Sequence, residues 1–231
     1  MTRTPELDLL AEAATDFFSR NCPTETAAQD EAPELTQRFA ETGLVEGADL
    51  EAACTVAAVA ARYAAPLPIA EEWLAQQPEA DRPRLGAALR AAQMAGALER
   101  VLQLTVEHAR TRVQFGQPLV RFQAVGQQLA ILAGEVAAAR AAADAAAADP
   151  ASWKVAAAKI RTGEAAGRGA EIAHQVLGAI GFTDEHPLHL FTRLLWQWRD
   201  EFGTEAEWAE VLGRDVAGTD PWPLVTETSD G

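Results

Sequence analysis

The side chains placed to do chemistry fall mainly in two stretches of this sequence. The first, RTRVQFGQPLVRFQAVGQQLA (110–130), sets Arg112, Gln114 and Phe115 just ahead of Gly116 and Pro118. A glycine followed two residues later by a proline stops a helix and starts a turn. Arg112 therefore stands at a helix end, where a guanidinium and free backbone amides can meet an anion together. The second, HQVLGAIGFTDEHPLHLFTR (174–193), carries Gln175 at a helix C-terminus that opens into Gly178 and Gly181. Glycines there let the backbone approach a phosphate, which a Cβ would block. Taken singly, each stretch also reads as something plainer: a charged helix end with a turn, and a glycine cap.

Other candidates carry less. His186 and His189 straddle Pro187, and no carboxylate or cysteine cluster converges in sequence on them or on His174, so they read as helix-start and loop residues rather than metal ligands. Trp196, Trp198 and Trp208 read as packing or subunit-interface residues. The two cysteines, Cys22 and Cys54, have neither metal-ligand nor redox spacing and read as reduced core thiols. A formal net charge of −15 repels phosphate at long range, which argues against nucleic acid and anionic membranes as partners. With no apolar signal core in MTRTPELDLL and no membrane-length apolar run, the chain is expected to be soluble and cytoplasmic.

The elements that must position these residues are helices. Abundant alanine and scarce β-branched runs favour close-packed helices over sheet, so the fold class is all-α. Periodicity predicts helices over 6–20, 34–42, 49–64 and 70–75, with a polar loop at 21–33. The charged, proline-bearing 76–84 is the most linker-like piece. Long helices are predicted over 85–112, from Phe122 to Asp149, and over 151–177, with shorter ones over 187–198 and 205–212. Phe122, Val125, Leu129, Leu132 and Val136 describe one buried stripe. Short turns between the long helices argue for an antiparallel four-helix bundle. The expected organisation is an N-terminal helical domain (1–78), a linker (79–84), the bundle (85–216) and a tail (217–231).

The first stretch resembles the Arg-x-x-Phe-Gly…Phe-Gln-Ala-Val signature of the acyl-CoA dehydrogenase family, and the second its Gln-x-x-Gly-Gly-x-Gly-Phe loop. Both occur in the right order within 110–193. The resemblance implies that Arg112, Gln114, Phe115, Gln123, Gln175, Gly178 and Gly181 face the diphosphate and adenosine end of FAD. The flavin would be one held by an adjacent subunit. Ala179 stands where a second glycine is usual.

Two departures shape the function this implies. The family removes the α-proton of a thioester with a glutamate, usually just before a Gly-Thr or Gly-Ser; Phe202 holds that place here, before Gly203 and Thr204. In a minority of members the base lies early in the preceding long helix, near Gly86. Neither side chain can take a proton, and Glu201 is one residue out of register. The family's middle β-domain has no counterpart beyond the 76–84 linker. The expected protein is thus the base-less subunit of a heteromeric acyl-CoA dehydrogenase. A full-length partner would supply the glutamate, the β-domain and most of the thioester pocket in an α2β2 assembly that passes electrons to an external acceptor. Such heteromers are associated with bulky thioesters such as steroid side chains. The rivals are a helical scaffold that has lost flavin, and a homomeric enzyme using Glu201.

Overall fold

In the computed structural model, residues 4–22 and 33–217 are described. Most of the polar 21–33 loop and of the tail lies outside them. Among the described residues the fold is all-α, with one two-residue β-ribbon.

The N-terminal helices are α1 (Pro5–Asn21), α2 (Pro33–Ala40), α3 (Leu50–Arg62) and α4 (Ile69–Ala75). Their starts follow from local chemistry. Thr4 accepts a hydrogen bond from the Leu7 amide at 3.4 Å ahead of α1, and Asp49 accepts one from Ala52 at 2.8 Å ahead of α3. Phe18 and Phe39 stack at 5.6 Å and Tyr63 closes on Phe18 at 6.2 Å, so α1, α2 and the end of α3 share an aromatic knot.

The long helix α5 runs from Arg82 to Thr111. It begins three residues before the expected Leu85, because Pro83 lies in the first turn, where its missing N–H leaves nothing unpaired. The segment between α4 and α5 therefore shrinks to 76–81. Helix α5 carries residues of two cores: Leu85 and Leu89 pack with Phe18, Val56 and Trp73, while Leu98 and Val101 pack with Leu132, Phe191 and Leu195. Gly96 makes the crossing of α3 possible, since a Cβ there would collide with the Ala58 carbonyl.

Beyond α5, β1 (Val113–Gln114) pairs antiparallel with β2 (Gln117–Pro118). This ribbon was not expected from the sequence. Its two-residue loop, Phe115 and Gly116, has φ of 50° and 81°, the doubly positive geometry of tight hairpins. A 3-10 turn (Leu119–Arg121) leads into α6 (Gln123–Ala148), followed by α7 (Ser152–Leu177), α8 (Leu188–Asp200) and α9 (Glu205–Val216). Helices α5 to α8 form the bundle and α9 lies on α7. On the predicted α6 stripe, Leu129, Leu132 and Val136 are buried while Phe122 and Val125 are half-buried.

One buried cation closes the bundle. Lys159 is 1% exposed, and its Nζ donates to the carbonyls of Trp198 (3.1 Å) and Arg199 (2.6 Å), oxygens at the end of α8 that lack helical partners. Burial pushes its pKa down to about 8, against the opposing pull of Glu205, Asp200 and Glu201. Both cysteines are free and buried. Among the described residues no helix is long and apolar enough to cross a membrane.

Candidate functional site

The two chemically equipped stretches meet. Arg112 caps α5: its amide bonds the His108 carbonyl at 2.9 Å, and its own carbonyl accepts from the Leu119 amide at 2.9 Å. The ribbon is thereby folded back against the helix end, and the Arg112 side chain is exposed without a carboxylate partner among the described residues. It lines a groove of about 700 Å³ together with Gln114, Gln128, Gln175 and Gly178. The first turn of α6 supplies Ala124 and Val125 to the same groove, and that helix has no side-chain cap on its free amides. Gly178 ends α7 at φ 65° and ψ −141°, a conformation open in practice only to glycine, and no atom lies within 4 Å of where a Cβ would be. Arginine, amides and a bare backbone turn make a surface suited to a diphosphate.

Three of the expected residues lie elsewhere. Phe115 projects from the hairpin tip, 93% exposed, with only Phe122 edge-on at 6.3 Å. Gln123 is exposed and off the groove lining, and Gly181 is buried under Leu177 and Leu188. Ala179, the departure from the glycine pattern, is exposed on the groove and blocks nothing. His174 stacks on Phe182 at 4.5 Å and holds the glycine turn onto α7. His186 accepts from the Leu188 amide at 3.2 Å and caps α8. Trp198 points inward, Trp196 is 49% exposed, and Trp208 donates to the Phe202 carbonyl at 2.9 Å, so the three tryptophans do not form one group. The sequence reading missed His108, which lines the groove four residues before Arg112; helical spacing places both on one face.

The second region is the corner where the resemblance puts the base. Phe202, at φ 56°, lays its ring on Gly86. Arg90, one turn further along α5 and 3% exposed, has its guanidinium carbon 5.7 Å from the centre of that ring. The same guanidinium bonds Glu201 at 2.6 Å, Gln93 at 2.6 Å and Glu71 of α4. The other oxygen of Glu201 accepts from Gln197 at 2.9 Å. Both carboxylate oxygens of Glu201 are thus engaged, one by the buried Arg90 guanidinium and one by the Gln197 amide.

Comparison with known proteins gives the family. The family described as "Acyl-CoA dehydrogenase, C-terminal domain" matches residues 84–199, half of the chain. Acyl-CoA dehydrogenase IpdE2 of Mycobacterium tuberculosis is 44% identical over 105 residues, covering 46% of this chain and 33% of that protein. The chain spans about a third of the length of the curated relatives it matches. Two solved structures extend the likeness in fold. A chain of the ChsE4-ChsE5 complex from Mycobacterium tuberculosis superposes with a TM-score of 0.80 at 19% identity, over 95% of this chain and 99% of its own. A chain of the Tcur3481-Tcur3483 steroid ACAD does so with a TM-score of 0.83 at 17% identity, over 92% and 98%. Matched through the bundle that carries both signatures, with a six-residue connection where a β-domain would stand, the chain belongs to the acyl-CoA dehydrogenase family in a short form without the middle β-domain.

Proposed function

We propose that this chain is the base-less subunit of a heteromeric, FAD-dependent acyl-CoA dehydrogenase that introduces an α,β double bond into a CoA thioester. One observation carries the reading: the base corner is filled by Phe202 packed on Gly86, while the Arg112–Gln175 groove stays open. A full-length partner of the same family would bring the catalytic glutamate, the β-domain and most of the thioester pocket. This chain would bring the surface for the diphosphate and adenosine end of the flavin.

The groove's chemistry fits that end. Arg112 offers a fork of donors to the diphosphate, Gln114, Gln128 and Gln175 offer amides, and Gly178 offers backbone without a Cβ. Bound FAD supplies the hydride acceptor for the β-hydrogen. In this chain no residue takes the α-proton of the thioester; its residues hold, orient and screen one end of the cofactor. The exposed Phe115, Val113 and Phe182 rim the same end of the molecule and suit burial against another subunit. Helix α6 presents Ala130, Ile131, Ala137, Ala138 and Ala141 outward, an apolar face in keeping with an α2β2 assembly. The fold shared with the ChsE4-ChsE5 complex and with a steroid ACAD favours a bulky, steroid-like acyl group.

The test is Arg112→Ala in this chain alone, within the co-purified complex. Leaving phosphate charge unpaired at a partly buried interface costs on the order of 2 to 5 kcal/mol, roughly 30-fold or more in flavin affinity. The flavin-to-protein ratio after gel filtration should fall, Arg112→Lys should restore only part of it, and Arg121→Ala, on an exposed side chain outside the groove, should change little. Full FAD in an intact Arg112→Ala complex would hand the case to the scaffold reading.

A further inference from the structure

The diphosphate groove holds a second basic group that neither signature includes. His108 lies one helical turn before Arg112 at the end of α5 and lines the groove beside Gln175 and Gly178. Among the described residues neither nitrogen of its ring has a hydrogen-bond partner. Its ring stands edge-on to His186, 6.3 Å between centres and 89° between planes, which limits how it can turn. His186 is itself held as an acceptor for the Leu188 amide, and the His189 ring nitrogen lies 2.8 Å from the His186 carbonyl.

We infer that His108 and Arg112 act as a paired clamp on a diphosphate in this groove, so that binding the cofactor is coupled to taking up a proton on His108. This rests on the flavin-site reading given above. The charged surroundings set the sign. Burial opposes a charge on His108, and Arg112 at the end of the same helix does so too, so the imidazole is held below its ordinary pKa. Facing it, His186 is also held low, by burial, His108, His189 and Arg100 against the pull of Glu107. A bound diphosphate brings negative charge against both His108 and Arg112 and raises the His108 pKa. The extra affinity is therefore fully present below the free-state pKa and fades as pH rises through the bound-state pKa. Because the free value lies under the ordinary 6.5, the window opens in mildly acidic solution.

The probe is ADP-ribose, whose diphosphate is a diester and stays ionised throughout. ADP itself would confuse the result, since its terminal phosphate titrates near pH 6. Titration calorimetry of the full chain should show ADP-ribose binding tightening about 3- to 10-fold from pH ~8 to pH ~5.5. His108→Gln should lose the pH dependence, while His186→Gln should keep it. The chain has 4 histidines, so the NMR titration of the His108 ring can be followed directly and should move to higher pH on adding the ligand. Binding that needs Arg112 but ignores pH, or keeps its pH dependence in His108→Gln, overturns the clamp and leaves the flavin-site reading standing. Absence of any Arg112-dependent binding overturns both.

Discussion

The ring of Phe202 rests on the bare backbone of Gly86: a Cβ at Gly86 would stand 2.5 Å from Cδ1 of that ring. The resemblance puts the family's base at one or the other of these positions, in the α8–α9 turn or early in α5. Here the one is a plug and the other the socket it fills. Trp208 secures the plug by its bond to the Phe202 carbonyl, and Gly203, at φ 101°, lets the turn pass beneath the indole.

The packing predicts a non-additive pair. Gly86→Ala should destabilise the chain by about 1 to 3 kcal/mol through overpacking. Phe202→Ala should also destabilise, but in that background the alanine at 86 should cost much less. Urea unfolding of the four proteins measures the coupling. Additive effects would mean that the ring and Gly86 are not in contact.

Arg90 ties three elements together through Glu71, Glu201 and Gln93. Its side chain is 4% exposed, whereas those of Glu71 and Glu201 are 54% and 31% exposed and can rehydrate. Arg90→Met should therefore cost about 1.5 to 3 kcal/mol, less than removing one member of a fully buried pair. Glu201→Gln should lower stability slightly and leave turnover of the assembled complex within a few-fold. A true general base would lose roughly 10² to 10⁴-fold. A loss of that size with FAD still bound would return Glu201 to the role of base.

Lys159 predicts an alkaline signature. Its folded pKa, about 8, lies below the ordinary 10.5, so between those values the unfolded chain binds the extra proton and stability rises with pH. Burial of the Cys22 and Cys54 thiols works the other way above their ordinary range, so total stability hides the effect. The difference between wild type and Lys159→Met isolates it. From about pH 8 to pH 10 that difference should shift on the order of 1 to 3 kcal/mol in favour of the wild type. A flat difference would mean that the lysine is charged and well solvated in the fold.

The outward face of α6 predicts an assembly defect. Ile131, 37% exposed, stands between rows of alanine on that face. Ile131→Glu should leave the isolated chain folded and weaken its association with the catalytic partner at least about tenfold by sedimentation. Unchanged assembly would move the interface to another face.

The all-α class, the helix ends at Gly178 and Asp149 and the buried Leu129, Leu132 and Val136 of the α6 stripe are local matters, written in residue types and spacing. The two signatures were legible for the same reason: Arg112 caps α5 and Gln175 lies in the last turn of α7, just before Gly178. Their meeting was not local. Some sixty residues, most of them in α6 and α7, separate them, and only antiparallel packing of those helices brings both to one groove. The ribbon at 113–118 escaped the sequence because its hairpin loop begins with Phe115 at positive φ, where Asn or Gly would be the usual signal.

That Phe202 and Gly86, where the resemblance puts the base, cannot accept a proton was legible too. What only the tertiary structure decided is how that corner is filled. Phe202 and Gly86 lie far apart in sequence, and their contact, like the Arg90–Glu201 pair beside it, exists because the end of α8 folds back over the start of α5. Sequence determines which groups are available; close packing across the chain determines which of them are free to act.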